Sequence, residues 1–238
     1  MGKEGWHFTT PDEVPECEPE PQFNFPRIRD LYFKAEPNYV GRFTVPVLWD
    51  SMTCKIVNNE SSEIIRILNK SFNSFAKTPH LDVSPEKHIK EIDDINEWVY
   101  TQINNGVYKS GFATKQGPYE ENVRDVFAGL DRVEKMLSDG RQYLIKDYPT
   151  ITEADIRLFT TVVRFDIVYH GHFKCNLKRL EFEYPLIMEW ATRILLLNGV
   201  KETVNLEHIK KHYYMSHVQL NPTQVYPVSD GPFAKYFL

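Results

Sequence analysis

Helical periodicity in the second half of this sequence is the feature that most limits what the chain can fold into. From Glu86 to about Tyr214, apolar side chains recur every three or four residues, which is typical of amphipathic helices with one buried face. The predicted segments lie near residues 86–104, 118–138, 153–170, 184–198 and 203–214. The second half is therefore predicted to be an all-helical bundle.

The segment at 153–170 is predicted to be the central helix because it carries the widest apolar face: Ile156, Phe159, Val162, Val163, Ile167 and Val168. Its start is marked by Thr152 and Asp155, three residues apart, in the pattern of a capping box with Asp where Glu or Gln is usual. We assign these two residues to folding, since such a cap stabilises a helix by roughly 1 kcal/mol.

The first half has a mixed pattern. Residues 1–26 contain many prolines among acidic residues and predict an irregular leader, and residues 27–35 predict a short helix. Phe43–Trp49 and Lys55–Val57 are β-branched or aromatic runs around turn-forming residues, which predicts a two-stranded hairpin. Residues 59–69 predict a second helix.

That second helix is predicted to be capped by Asn58 or Asn59, with Ile64, Ile65 and Leu68 as its buried stripe. Pro46 interrupts the first predicted strand. Because proline has no N–H to donate to a ladder, it belongs at a strand edge or at an irregularity such as a cis peptide bond.

Charge and composition exclude several kinds of partner. The formal net charge is −5 and the basic residues are scattered, so no nucleic-acid partner is expected. No apolar run approaches the roughly 20 residues that a membrane-spanning helix needs, and no membrane partner is expected.

The cysteines and histidines suggest neither disulfides nor a metal. Cys17, Cys54 and Cys175 have an odd count and no CxxC spacing, which fits a reducing compartment and predicts a cytoplasmic location. His208 and His212 are four residues apart, but the two lysines between them would repel a cation. No metal cofactor is predicted.

Several strings, in order and correctly spaced, resemble the glutathione transferase superfamily: VPVLWD at 45–50, NNESSEIIRILN at 58–69, NNGVYKSGFA at 104–113, TEADIRLFTTVVRFD at 152–166 and FKCN at 173–176. They are most similar to the glutathionyl-hydroquinone reductases of the xi class and to their omega-class relatives. The resemblance covers nearly the whole chain. It implies an α/β plus all-α fold class, with a partial thioredoxin-like domain over 1–76 and a glutathione transferase helical domain over 77–238.

The resemblance also implies a glutathione site at Val45, Pro46, Glu60 and Ser61. In this superfamily, the residue before a cis proline pairs through its backbone with the cysteinyl part of glutathione. The γ-glutamyl group carries a carboxylate and an ammonium, which suit a helix N-terminus with a hydroxyl and an acid respectively. Without the resemblance, Glu60 is equally well a favourable first-turn charge, Ser61 a cap and Pro46 an edge-strand proline.

Tyrosines in the helical half are implied to support the quinone side of the site. Tyr108 matches one position of the family, and Tyr213 or Tyr214 matches another. A phenol hydroxyl can orient a quinone oxygen or assist proton transfer. With 13 tyrosines in the chain, a purely structural role is the alternative for each of them.

The catalytic cysteine of this branch stands in a Cys-Pro-Trp-type motif after the first strand, and no such string occurs in these 238 residues. MGKEGW resembles the stretch after the family's second strand, so the first strand, the first helix with the catalytic cysteine, and the second strand are expected to be missing. Cys17 lacks a helix N-terminus to activate it, and Cys175 is expected to be a buried small hydrophobe.

The resemblance predicts a glutathione transferase that carries out thiol transfer or reduces glutathionyl-hydroquinones, with glutathione as co-substrate and a quinone-like or electrophilic small molecule as second substrate. A homodimer is expected. The alternatives are a catalytically inactive remnant that binds glutathione weakly and a helical module that binds another protein.

Overall fold

The computed structural model describes residues 5–14 and 17–237. The chain separates into two compact units, Met1–Leu81 and Asp82–Leu238. Within the described residues, no helix combines the length and the apolar character that crossing a lipid bilayer requires.

The first unit contains two helices and a small antiparallel sheet. Its elements are α1 (Ile28–Ala35), β1 (Leu48–Asp50), β2 (Lys55–Asn58), α2 (Ser61–Lys70) and a 3-10 turn at Asn73–Phe75. Trp49 lies opposite Ile56 in the sheet. The carboxylate of Asp50 closes the turn between the strands by accepting hydrogen bonds from the backbone N–H groups of Met52 and Thr53.

Strand β1 is shorter than predicted. It begins at Leu48, so Phe43–Val47, including Val45 and Pro46, lies outside the sheet. Pro46 has no N–H for a ladder. The hydroxyl and the carbonyl of Thr44 instead bind side chains of the same unit, which commits this segment to a loop.

The leader packs against α1, a role that its composition did not reveal. The core of the unit consists of Ile28, Leu31 and Tyr32, and leader aromatics cover it: Trp6, Phe8, Phe23 and Phe25. No helix or strand longer than a single bridge forms over 5–14 and 17–26, although residues 1–4 and 15–16 of the predicted leader lie outside the described residues. The absence of regular structure here reflects proline content, while the aromatic residues still supply core packing.

The predicted start of α2 was wrong by one or two residues. The N-cap position is Glu60, and the side chain of Asn58 accepts a hydrogen bond from the Glu60 N–H instead of capping the first turn. Asn59 is directed toward α1 and the loop before β1. The buried face of α2 is also narrower than predicted, since only Ile64 is buried and Leu68 is 56% exposed.

The second unit is the predicted helical bundle. Its helices are α3 (Ile89–Trp98), α4 (Gly106–Gly111), α5 (Gln116–Leu137), α6 (Glu153–Arg164), α7 (Leu180–Glu183), α8 (Pro185–Leu195) and α9 (Leu206–Ser216). Wider π-helical turns extend α3 over Val99–Asn104 and α6 over Phe165–Tyr169. Three 3-10 turns lie at Glu86–His88, Lys201–Thr203 and Ala234–Tyr236.

Helix α4 was not predicted, because it is short and has a glycine at each end. Those glycines allow close packing. A Cβ atom at Gly111 would lie 2.3 Å from ring carbons of Phe173, and one at Gly106 would lie 2.8 Å from Val126 Cγ2. Real Cβ atoms do not approach so closely, so α4 can pack at this distance only with glycine at both positions.

Helix α6 begins with a buried capping box. The Asp155 carboxylate accepts hydrogen bonds from the Thr152 N–H and hydroxyl, both at 2.9 Å. It also accepts one from the Leu144 N–H at 2.8 Å and one from Trp190 Nε1 at 2.9 Å. The box therefore ties the preceding loop and α8 to the start of α6. Along α6, Ile156 is only half-buried, whereas Phe159, Val162 and Val163 are in the core as predicted.

Candidate functional site

The start of α2 presents two polar side chains that have no partner among residues 5–14 and 17–237. Glu60 and Ser61 are exposed, and their side-chain oxygens form no hydrogen bond or ion pair with any described residue. The N–H groups of the first helical turn point out of the helix and favour an anion. A carboxylate and a hydroxyl at this end can therefore bind a ligand that carries both a positive and a negative charge.

The Val45 loop is held next to α2 by a hydrogen-bond network. The Tyr32 hydroxyl donates to the Thr44 carbonyl at 2.8 Å, and the Asn59 amide donates to the Tyr32 hydroxyl at 3.1 Å and to Thr44 Oγ1 at 3.2 Å. Thr44 precedes Val45 and Asn59 precedes Glu60, so this network fixes the two predicted binding segments against one another. Tyr32 is 1% exposed, which makes the anchor part of the core of the unit.

Val45 is itself accessible. Its side chain is 43% exposed, the Val45–Pro46 peptide bond is cis, and the Val45 backbone has no hydrogen-bond partner among the described residues. A free backbone N–H and carbonyl outside a sheet can pair with the backbone of a peptide ligand.

The helical unit brings three tyrosine hydroxyls together. Tyr108 Oη lies 2.5 Å from Tyr213 Oη, and Tyr213 Oη lies 2.8 Å from Tyr169 Oη. These residues come from α4, from α9 and from the π-helical turn after α6. The Phe173 ring packs against all three rings, at centroid distances between 5.2 and 5.8 Å, and it reaches Tyr108 across Gly111.

One hydroxyl hydrogen of these three tyrosines is not used in the hydrogen bonds between them. Two hydrogen bonds link three hydroxyls, so two of the three hydrogens are used internally and one remains for a ligand. Burial raises the pKa of Tyr169 and of Tyr213. Tyr108 raises both pKa values further, and Tyr213 also raises that of Tyr169, while the hydrogen bond from Tyr169 lowers the pKa of Tyr213. The hydroxyls of Tyr169 and Tyr213 therefore stay protonated at neutral pH.

The hydroxyl chain lines a cavity of about 320 Å³, whose wall also includes Asn104, Thr160, Thr161 and Arg164. The Asn104 amide nitrogen donates to the Arg157 carbonyl at 2.6 Å, which fixes the orientation of the amide. Its Oδ1 atom is then a buried acceptor without a partner in the described part of the chain. The wall thus offers a phenolic hydrogen-bond donor.

Tyr214 lies apart from this cavity. Its hydroxyl donates to the Ile167 carbonyl at 3.3 Å, and its ring packs against His172. Of the two tyrosines that the sequence left open at this position, the structure places Tyr213 with Tyr108 and leaves Tyr214 outside.

The cysteines and histidines form no separate centre in the described ranges. Cys175 is fully buried, and burial raises the pKa of its thiol to about 12, so it is not a thiolate at neutral pH. No group of three or more His, Cys, Asp or Glu side chains suited to a metal ion occurs among residues 5–14 and 17–237.

Comparison with known proteins gives consistent matches. Residues 116–193 match the glutathione S-transferase C-terminal domain. The chain is 46% identical over 242 residues to glutathione S-transferase omega-like 2 of Schizosaccharomyces pombe, covering 100% of this chain and 76% of that protein. The chain belongs to the glutathione transferase family.

Solved structures place this glutathione transferase in the xi class. Glutathione transferase Xi 1 from Trametes versicolor superimposes with a TM-score of 0.91 at 51% identity, covering 98% of this chain and 80% of that chain. The glutathione-bound structure of YqjG from Escherichia coli gives a TM-score of 0.88 at 42% identity, covering 94% and 71%. YqjG is named a glutathionyl-hydroquinone reductase. The predicted family and fold class are confirmed.

Sequence reasoning missed residues that build the two candidate sites of this transferase. Tyr32, Thr44 and Asn59 hold the segments around Val45 and Glu60, and Tyr169 and Asn104 complete the tyrosine cavity. Tyr169 lies in the apolar 153–170 segment, where its spacing is that of a core residue, so the sequence contained no signal for its hydroxyl contact.

Proposed function

We propose that this xi-class glutathione transferase reduces glutathionyl-hydroquinones to hydroquinones with glutathione as co-substrate. The observation that carries the proposal is the chain of hydroxyls from Tyr108, Tyr213 and Tyr169 in the wall of a cavity. A hydroquinone has oxygens that both accept and donate hydrogen bonds. The phenol chain supplies the donor that one of them needs.

Glutathione is assigned to the site in the first unit. Its γ-glutamyl ammonium pairs with Glu60, and its γ-glutamyl carboxylate lies at the Ser61 hydroxyl and the N–H groups that open α2. The Val45 backbone, which has no hydrogen-bond partner in the described part of the chain, pairs with the cysteinyl backbone. The Tyr32–Thr44–Asn59 network keeps these groups in place before the ligand arrives, which lowers the entropy cost of binding.

The reaction needs a thiolate that attacks the glutathionyl sulfur. The carbon–sulfur bond breaks, its electron pair stays on the ring carbon, and that carbon takes up a proton as the hydroquinone leaves. A glutathione thiolate then cleaves the resulting disulfide, which releases glutathione disulfide and restores the first thiolate. A tyrosine hydrogen bond to the ring oxygen stabilises the negative charge that develops on the ring.

No cysteine in these 238 residues is assigned the attacking role, since none stands in a Cys-Pro-Trp string and Cys175 is buried with a raised pKa. The function is tested by mixing the protein with S-glutathionyl-hydroquinone and glutathione, and by following binding calorimetrically and free hydroquinone chromatographically. Saturable binding together with release of free hydroquinone above the rate in buffer supports the proposal. Absence of binding, or binding without hydroquinone release, contradicts it.

Replacing Glu60 with glutamine is expected to weaken glutathione binding by about tenfold, because a charge-assisted hydrogen bond to the ammonium becomes a neutral one. Isothermal titration calorimetry measures the change. Glu63→Gln is the matched control, since it removes the same charge from the same helical turn while keeping an acceptor for Asn58. If both variants lost the same affinity for glutathione, the effect would come from the negative charge at the start of α2 in general and not from a contact with Glu60.

Replacing Tyr213 with phenylalanine is expected to weaken S-glutathionyl-hydroquinone binding by about tenfold and to leave glutathione affinity unchanged, because the bridging hydroxyl of the donor chain is lost. Tyr214→Phe is the control, since the Tyr214 hydroxyl lies outside the cavity. If Tyr214→Phe weakened binding as much as Tyr213→Phe, the assigned cavity would be wrong.

The cytoplasmic location and the homodimer stay predictions from cysteine content and family resemblance. Sedimentation velocity of the purified chain tests the second of them.

A further inference from the structure

The segment that follows α9, residues 221–237, is anchored in the helical unit although it has little regular structure. We refer to these residues as the tail. Phe233 is buried in the main hydrophobic cluster, and Tyr236 and Phe237 pack against that cluster. At the other end of the tail, the Asn221 amide donates to the Tyr214 carbonyl at 2.8 Å. Specific contacts therefore hold the tail in place, and two of them lead to the tyrosine cavity.

A buried lysine joins the tail to α9. Lys210 lies on α9 and is 3% exposed. Its Nζ atom lies 2.5 Å from Asp230 Oδ1, 3.2 Å from Glu207 Oε2 and 3.5 Å from the Val228 carbonyl oxygen, so its three hydrogens have three acceptors. Asp230 and Val228 belong to the tail. Because lysine is rarely buried unless it is paired, this cluster attaches the tail to α9 just before Tyr213.

The ammonium of Lys210 keeps its charge at neutral pH. Burial on its own lowers the pKa of Lys210, but Asp230 and Glu207 outweigh burial and raise that pKa above its ordinary value. The Tyr226 hydroxyl donates to Glu207 Oε1 at 2.9 Å, and the Tyr226 ring centre lies 5.6 Å from Lys210 Nζ. The ammonium therefore retains Glu207 and the aromatic face when Asp230 is removed, and only the link to the tail is weakened.

A glycine brings the tail against the π-helical turn that follows α6. Gly231 has a φ of +70°, and a Cβ atom at this position would lie 2.0 Å from Ile167 Cγ2. Only glycine permits so close an approach. Ile167 is buried in the π-helical turn, two residues before Tyr169. The tail thus contacts both the helix that carries Tyr213 and the turn that carries Tyr169.

We propose that the tail positions the chain of tyrosine hydroxyls, with Lys210, Asp230 and Gly231 as positioning residues. The hydroxyls of Tyr213 and Tyr169 lie 2.8 Å apart and come from different elements, so their distance depends on how α9 lies against the π-helical turn. The tail fixes this arrangement because it is attached to both elements. The effect on substrate binding rests on the function proposed above, whereas the effect on the hydroxyl contact does not.

Replacing Asp230 with alanine detaches the tail from Lys210. The matched control is Glu189→Ala, which removes a partly exposed carboxylate that pairs with Arg193 on α8, where the tail is not involved. Asp230→Glu keeps the charge and is expected to behave like the wild type in every measurement. A structural effect of losing any surface carboxylate would appear in both alanine variants.

Replacing Gly231 with alanine separates the tail from the π-helical turn, because the added Cβ atom occupies the position of Ile167 Cγ2. Gly140→Ala is the matched control. Gly140 has a φ of +84°, so alanine meets similar backbone strain there, but no described atom lies within 4 Å of the new Cβ atom. The comparison isolates the Ile167 contact from the strain.

The hydroxyl contact is measured without substrate, by carbon-13 NMR of the full chain labelled at the tyrosine ring carbon that bears the hydroxyl. Tyr213→Phe and Tyr169→Phe assign the two signals. We expect both signals to move in Asp230→Ala and Gly231→Ala and to stay in place in Glu189→Ala and Gly140→Ala. A tail that only stabilised the fold would lower the unfolding temperature and leave the two signals of the folded protein unchanged.

Substrate binding gives the second readout. Calorimetric titration with S-glutathionyl-hydroquinone is expected to show about fivefold weaker binding in Asp230→Ala and Gly231→Ala, with glutathione affinity unchanged, because a misplaced hydroxyl loses one hydrogen bond. A wild-type chain that did not bind this substrate would contradict the proposed function, and the NMR signals alone would then decide the role of the tail. Unchanged signals in both tail variants, or equal movement in the controls, would overturn it.

Discussion

Replacing Asp155 with alanine is expected to lower the free energy of unfolding of the helical unit by about 4 kcal/mol. Asp155 is fully buried and accepts four hydrogen bonds, from the Leu144 N–H, the Thr152 N–H and hydroxyl, and Trp190 Nε1. Alanine would leave these donors buried without an acceptor, at a cost of about 1–3 kcal/mol each before relaxation or water entry. Urea denaturation followed by far-UV circular dichroism measures the loss.

Two further variants show whether the effect depends on burial and on the number of donors. Thr152→Ala removes a single donor from the box and is expected to cost about 1 kcal/mol. Asp166→Ala removes a comparable carboxylate, which accepts from the N–H groups of Leu180 and Glu181 at a partly exposed position, and is also expected to cost about 1 kcal/mol. If all three variants lost the same stability, the network around Asp155 would not be the cause.

The helical half was predictable because its signals are local. The periodicity at 118–138 and 153–170 corresponds to α5 and to α6 with its π-helical extension, within about two residues at each end. Thr152 and Asp155 are close in sequence, so the geometry that joins them needs no knowledge of the rest of the fold. Helix α4 escaped prediction because its six residues are stabilised by packing across Gly106 and Gly111 and not by an apolar stripe.

Long-range contacts decided the elements that were predicted wrongly. Strand β1 starts after Pro46 because Thr44 bonds to Tyr32 and Asn59, which are 12 and 15 residues away along the chain. The same contacts use the Asn59 side chain, which therefore cannot cap α2. Propensity alone favoured a longer strand and an asparagine cap, and tertiary hydrogen bonds overrode both.

The candidate site shows the same difference between local signals, which the sequence reveals, and long-range contacts, which it does not. Glu60 and Ser61 stand at a helix start that the sequence marks, and the family resemblance supplied Val45 and Tyr108. The partners that hold these residues come from distant segments, as with Tyr169, which lies 44 residues from Tyr213. Candidate binding groups could thus be proposed from motifs, while the network that positions them required the fold.

Lowering the pH from about 6.5 to about 4.5 is expected to reduce the free energy of unfolding by on the order of 4 kcal/mol through one histidine pair. His172 Nε2 lies 3.2 Å from His217 Nδ1, so one nitrogen donates and the other accepts, and the pair is neutral. Burial lowers the pKa of each histidine to about 4, with Lys174 and His212 among the neighbouring basic groups that contribute. Phe112, Phe173 and Tyr214 provide the surrounding aromatic contacts.

The direction of this pH effect follows from the pKa values of the two histidines in the unfolded and folded states. In the unfolded chain these histidines take up protons near pH 6.5, whereas in the folded chain they do so only near pH 4. The unfolded state therefore binds more protons across this interval, and stability is present above it and lost as the pH falls. His170 and His212 also have lowered pKa values and add to the same trend.

A double variant isolates the pair. His172→Phe with His217→Phe keeps two stacked aromatic rings and removes both titrating groups, so it is expected to stay folded at neutral pH and to lose much less stability at pH 4.5. Urea denaturation at several pH values, for the wild type and the variant, gives the two slopes. The pair accounts for up to about 2.7 kcal/mol per pH unit of the wild-type slope, because two protons are bound on unfolding. If the free energy of unfolding fell equally steeply with decreasing pH in the two proteins, these histidines would have ordinary pKa values in the folded state, and the acid sensitivity would arise elsewhere.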